Sequence, residues 1–137
     1  MKQELPVAAA LIEDKNKYLL AQRKADDKYA NLWEFPGGLI EDGESVFAAI
    51  EREIKEELSL TVRAKKLIST FSDESPTLKI SVSLILCSIE DGQPQALDCQ
   101  DFGFFTLNES KALNLAPVDR KIVNFLESQS KGLNSER

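Results

Sequence analysis

The spacing of apolar positions changes several times along the chain, and each change predicts an element. Val7 to Ile12 is an unbroken apolar run that reads as a strand, followed by a polar turn at 13–17 and a second strand, Tyr18 to Gln22. Residues 24–31 (KADDKYAN) form a polar loop, and Leu32 to Phe35 is a short extended piece ended by Pro36, Gly37 and Gly38. The period then becomes helical. Val46, Ile50, Ile54 and Leu58, with Phe47 beside them, predict a helix over Ser45–Leu58 in which Ser45 is the N-cap. Thr61 to Asp73 and Thr77 to Glu90 read as two long strands joined by DESP, and Phe102 to Leu107 as another after the turn DGQP. LNESKAL holds a short helix. Pro117 opens a last helix with an apolar face of Val118, Ile122, Val123, Phe125 and Leu126, and SQSKGLNSER reads as a frayed tail.

Strands before, between and after two helices, without regular βαβ alternation, predict an α+β chain or an α/β/α sandwich. The 137 residues are expected to form one domain over 1–130, with 131–137 as a flexible tail. The absence of histidine excludes Ser-His-Asp and Cys-His catalysis, histidine zinc sites and histidine general bases. Cys87 lies in an apolar run and Cys99 in a polar loop; they make no CxxC, and a disulfide between them is not expected. A net charge of −6 with no Lys/Arg run makes nucleic acid a poor partner. No apolar run approaches the roughly 20 residues of a membrane span, and VAAALI is too short for a signal peptide. A soluble, cytoplasmic protein is expected, as a monomer or weak homodimer.

The helix carries a charge pattern that a solvated surface does not need. Glu53, Glu56 and Glu57 stand at i, i+3 and i+4 on one face, where like charges repel by roughly 0.2–0.5 kcal/mol per pair. They are clustered rather than alternated with lysines, a Gly-Gly loop precedes them, and Trp33, Phe35 and Pro36 flank that loop. Clustered carboxylates on a rigid helix offer the oxygen-only surroundings that hard cations such as Mg²⁺ or Mn²⁺ accept.

From Gly38 the spacing is five residues, Glu44, seven residues, Arg52-Glu53-Ile54, one residue, Glu56-Glu57. This resembles the Nudix box, G-x5-E-x7-R-E-U-x-E-E-x-G-U with U a bulky aliphatic. The box fixes seven polar or glycine positions over 23 residues, and six are matched; Ser59 stands where the family has glycine, and Leu60 fills the final aliphatic position. WEFPGG before the box and LAPVD near the C-terminus are similar to the MutT-type branch of nucleoside triphosphate pyrophosphohydrolases. The resemblance implies an α/β/α sandwich around a mixed central sheet. It implies Mg²⁺-dependent hydrolysis of a nucleoside triphosphate to monophosphate and pyrophosphate, with a role in sanitising oxidised or modified nucleotides.

Carried residue by residue, the resemblance makes Glu56 and Glu57 the main metal ligands, with the Gly37 carbonyl as a further one. It gives Glu53 a direct or water-mediated metal contact and the orientation of the nucleophile. Glu44 supports this set, and Arg52 pins the carboxylates through charge-assisted hydrogen bonds. Asp98 is the candidate for an added metal contact or base, with Asp101 as its rival. Arg23 and Lys28 fall at substrate-contacting positions, and Phe35, with Glu34 beside it, is a candidate to stack on or edge the base; Trp33 reads as core packing. Asp119 resembles the residue that reads the base edge, and the alternative is a helix N-terminal charge favoured by the dipole. Cytidine-type and 8-oxo-guanine-type substrates both stay open. ADP-ribose, through Pro76, and a non-catalytic nucleotide-binding module are the other readings.

Overall fold

The computed structural model describes residues 2–135, with side-chain surroundings for 2–130. In chain order the elements are β1 (Gln3–Asp14), β2 (Lys17–Gln22), β3 (Trp33–Glu34), β4 (Gly37–Leu39), α1 (Val46–Leu58), β5 (Thr61–Glu74), β6 (Leu78–Asp91), β7 (Asp101–Phe105), α2 (Leu107–Ala112) and α3 (Pro117–Ser135). All seven strands join one sheet. β1 runs parallel to β6 along Gln3–Ile12 and antiparallel to β4 and β2, while β5 pairs antiparallel with β6. One parallel pairing among antiparallel ones makes the sheet mixed.

The unbroken apolar run of β1 has a simple cause: both of its faces are covered. Ala8, Ala10 and Ile12 pack with Ile50, Ile54 and Leu58 of α1, whereas Ala9 and Leu11 pack with Ile122, Val123 and Leu126 of α3. A strand buried on two sides loses its polar alternation. Each fully buried Leu or Ile contributes roughly 1.5–3 kcal/mol, so the two clusters bind both helices to the sheet. The result is an α/β/α sandwich, as the sequence pattern and the box resemblance imply. Among the described residues, no helix is long and apolar enough to cross a membrane.

Several local expectations are corrected. β1 starts at Gln3 rather than Val7, because Gln3–Pro6 pair with Leu78–Ser81 of β6. The Gly-Gly segment is not only a stop: Gly37–Leu39 forms its own strand against Val7–Ala9. Phe47 is exposed, and Ala49 takes the buried place beside Ile50. Cys99 is buried in the α1-side cluster, and both cysteines are free. α3 continues through Ser135, past Ser128 where a frayed tail was expected, and residues 136–137 lie outside the described residues.

The ends of α1 decide where its acidic face points. The Ser45 hydroxyl accepts a hydrogen bond from the Ala48 N–H at 3.1 Å, an N-cap. At the other end Ser59 is left-handed (φ 61°, ψ 22°), and its N–H donates to the Lys55 carbonyl. A non-glycine residue in that region costs roughly 1–2 kcal/mol, part of which glycine's larger unfolded-state entropy would offset. Ser59→Gly is therefore expected to stabilise the fold by up to about 1 kcal/mol, read as a higher urea midpoint at unchanged slope. A lower midpoint would contradict the strain assigned to Ser59.

Candidate active site

Glu57 is the most deeply set member of the acidic face, 7% exposed. The Gly37 N–H donates to its Oε1 at 3.1 Å, tying α1 to β4. Burial raises the Glu57 carboxyl to about 8, and the negative charges of Glu34, Glu53 and Asp98 push the same way, against the Gly37 N–H. Two glycines make this approach possible, for different reasons. A Cβ on Gly37 would stand 1.9 Å from the main-chain oxygen of Ala8, whereas a Cβ on Gly38 would stand 2.4 Å from Glu53 Oε2. Gly37 lets β4 lie against β1; Gly38 leaves room for a carboxylate.

Arg52 gathers the rest. Its Nε and Nη2 form a fork on Glu44 at 2.7 and 2.9 Å, Nη1 donates to Glu53 Oε1 at 2.9 Å and reaches Glu56 at 3.3 Å, and Nη2 also donates to the Leu39 carbonyl. The hydrogen bonds from Arg52, helped by the Glu41 N–H, lower the Glu44 carboxyl to about 2. For Glu53, burial raises the pKa and Arg52 opposes it, with the rise prevailing.

Asp98 reaches the same region from the β6–β7 connection. The N–H groups of Leu97 and Asp98 both donate to the Glu57 carbonyl, and the Gln95 N–H to that of Leu58, so this loop caps the open C-terminal end of α1. Asp98 lines the cavity beside Glu57 and is paired with Lys24 at 2.6 Å. Its rival Asp101 opens β7 instead, accepting from the Phe102 N–H, and is not part of the cavity wall.

The cavity measures about 450 Å³ and brings together Arg23, Lys28, Glu34, Phe35, Gly37, Glu53, Glu56, Glu57, Asp98 and Asp119. Glu44 and Arg52 stand behind its wall. Arg23 is already engaged: Nη1 on Glu34 at 2.8 Å, Nη2 on Asp27 at 2.9 Å and Nε on the Lys28 carbonyl. It thereby fixes the 24–31 loop beside the cavity. Asp119 is 8% exposed, and its Oδ1 accepts the Phe35 N–H at 2.8 Å. The Phe35 ring, a candidate for base stacking, is 3% exposed and sits in the α3-side core, so it offers no open face. Trp33 is partly buried against the same core, edge-on to Phe105.

Sequence reasoning missed the apolar wall formed by Leu5, Val7, Leu39, Leu78 and Ile80, and also Asp73 and Tyr29. The usable signal was the alternation in β1: Leu5 and Val7 continue the face of Ala9 beyond the end of the core.

The sequence matches the model of the NUDIX domain over residues 2–126. The chain belongs to the Nudix family. It is 34% identical over 84% of its length to a CTP pyrophosphohydrolase of Escherichia coli (strain K12), covering 85% of that protein. To an 8-oxo-dGTP diphosphatase of Proteus vulgaris it is 37% identical over 62% of its length, covering 77% of that protein. Among solved structures, the solution structure of the E. coli ORF135 protein superposes with a TM-score of 0.80 at 31% identity, over 93% of this chain and 91% of that one. The chain is a Nudix hydrolase.

Nudix hydrolases generally use divalent metals, and the donor chemistry here fits one. Every side chain on the acidic face offers carboxylate oxygen, and Glu57 is a buried carboxyl surrounded by negative groups, a state that a neighbouring cation relieves. Among the described residues, no three Asp, Glu or Cys side chains lie close enough to hold a metal ion as they stand. Glu56 and Asp98 are the exposed members, paired with Arg52 and Lys24.

The two glycines are expected to fail differently on gaining a methyl group. Gly37→Ala forces main chain against main chain and should lower the unfolding free energy by about 3 kcal/mol. Gly38→Ala first meets the movable end of the Glu53 side chain, so it should keep the fold and lose on the order of 100-fold in kcat/KM. Urea unfolding and steady-state kinetics on both variants check this, and equal stability losses would contradict it.

Proposed function

We propose that the chain is a Mg²⁺-dependent nucleoside triphosphate pyrophosphohydrolase, releasing a nucleoside monophosphate and pyrophosphate, with Mn²⁺ able to substitute. Its substrates on this reading are oxidised or modified nucleotides in the cytoplasm, acted on by a monomer or weak homodimer. One observation carries the reading. A single cavity of about 450 Å³ has Glu53, Glu56, Glu57 and Asp98 in its lining together with Arg23, Lys28 and Asp119. That lining combines groups for a cation, for phosphate charge and for a base. The names of the CTP and 8-oxo-dGTP relatives support a triphosphate. Pro76, the residue that suggested ADP-ribose, is exposed in the turn between β5 and β6 and off the cavity wall.

In this mechanism Glu53, Glu56 and Glu57, with the Gly37 carbonyl and Asp98, would hold the divalent cation, which would supply neutralisation of phosphate charge and a more acidic water. Arg52 keeps Glu53 in one orientation through its 2.9 Å contact, which suits that carboxylate to orient the attacking water. Glu44, bonded through both oxygens, stops Arg52 from turning toward the substrate. Lys28 draws in phosphate, and Arg23 holds the loop that carries Lys28.

Asp119 takes the base edge through the oxygen that the Phe35 N–H leaves unused. Burial raises its carboxyl to about 8, the Glu34 charge adding to the rise. Below that pH it carries a proton and both donates and accepts; above it, it only accepts. The pKa lies above the unfolded value of about 3.9, so the folded state loses stability as pH rises from about 4 to about 8.

The test is a Mg²⁺ assay with common and modified nucleoside triphosphates and ADP-ribose, with the products identified. Monophosphate and pyrophosphate are expected, with at least about a 100-fold loss in Glu53→Gln. No turnover with either Mg²⁺ or Mn²⁺ would overturn the reading. On the best substrate, the change in KM across pH 8 should be larger in the wild type than in Asp119→Asn, which remains neutral and leaves only the other groups of the cavity to titrate. Parallel profiles would remove Asp119 from base recognition.

A further inference from the structure

Among the described residues, two aromatic residues line the cavity, Phe35 and Tyr29. Phe35 is committed to the core, as described above. Tyr29 belongs to neither buried cluster and is 37% exposed. Its backbone is left-handed, at φ 62°. For a bulky residue this is an outlier, and it persists only where the surroundings impose it.

The surroundings here do so from both sides. The Leu32 N–H donates to the Tyr29 carbonyl at 3.1 Å, the Asn31 N–H to the Arg23 carbonyl at 3.1 Å, and Arg23 Nε to the Lys28 carbonyl at 2.9 Å. From the far side of the loop, Gln100 Nε2 donates to Asn31 Oδ1 at 2.9 Å. Lys28 Nζ lies over one face of the Tyr29 ring, 5.3 Å from its centroid, and Lys28 lines the same cavity. An aromatic ring is thus held in an unfavourable backbone state at a cavity wall, where it adds nothing to the core.

We propose that Tyr29 is the platform on which the substrate's base stacks. This rests on the nucleotide reading above and names the part of the nucleotide that the 24–31 loop takes: the planar base, with the neighbouring Lys28 ammonium directed to phosphate. Every base has a π-face, so the contact gives affinity with little choice among bases. Choice is left to the edge, at Asp119. The Tyr29 hydroxyl has no part in it; the ring is the functional group.

Calorimetric binding of CMP, GMP and AMP to the full chain tests this, with ribose 5-phosphate as the probe that lacks a base. Tyr29→Ala and Tyr29→Gly are expected to weaken binding of all three monophosphates on the order of tenfold, leaving ribose 5-phosphate unaffected. Tyr29→Phe should bind as the wild type does. Glycine relieves the left-handed strain, so Tyr29→Gly should melt no lower than the wild type, which separates lost stacking from a damaged loop. In turnover, Tyr29→Ala should raise KM while leaving kcat within about twofold, the mark of lost uniform binding.

Equal losses for ribose 5-phosphate, unchanged monophosphate binding in Tyr29→Ala, or a loss in Tyr29→Phe as large as in Tyr29→Ala would each overturn the proposal. So would a wild type that binds no monophosphate. A wild type that binds monophosphates through Tyr29 yet hydrolyses no triphosphate would support Tyr29 and reject the pyrophosphohydrolase reading instead.

Discussion

The site depends on one guanidinium. Arg52 faces Glu44, Glu53 and Glu56 at once, and its planar fork is what allows one side chain to hold three carboxylates and a main-chain carbonyl. A lysine has a compact charge and no fork, and cannot pair with both oxygens of Glu44 while reaching Glu53. The acids would otherwise repel along one turn of α1, and their assembly would work against the helix that carries them. Because Arg52 is tethered to Glu44, outside the cavity wall, it compensates the acidic face without lying across it.

Glu57 is handled by a different means. It is far from Arg52's reach in the hydrogen-bond pattern and meets the main-chain N–H of Gly37 instead. That contact exists because Gly37 has no Cβ and β4 can lie flat against β1, itself fixed by ten residues of parallel pairing with β6 over Gln3–Ile12. The chain of causes runs from two apolar clusters to a rigid central strand, from that strand to the placement of Gly37 and Gly38, and from these to the carboxylates. The loop that carries Asp98 joins the same frame by capping the carbonyls of Glu57 and Leu58.

Elements set by local pattern were legible in the sequence: the 3.6-residue period of α1 with Ser45 as its cap, the two long strands, and Pro117 at the start of α3. The carboxylates of the box were legible from spacing, since a helix converts i, i+3 and i+4 into one face. Features that depend on partners distant in sequence were not. β4 was hidden because Gly37 and Gly38 look like a stop until Val7–Ala9 is placed beside them. The burial of Phe35 and Cys99, the separation of Asp98 from Asp101, and the cavity face of Tyr29 depend on packing between segments many residues apart. No local period encodes that packing.

The acidic face is unfavourable by itself, and a divalent cation bound there would complete it. Thermal and urea unfolding of the wild type and of Glu57→Gln, each with and without Mg²⁺, tests it without reference to any substrate. Binding to the folded state alone should stabilise the wild type, by about 2.7 kcal/mol at a hundred times the dissociation constant, and should leave Glu57→Gln almost unmoved. Equal stabilisation of the two proteins, or none in either, would show that the acidic face does not take the cation through Glu57.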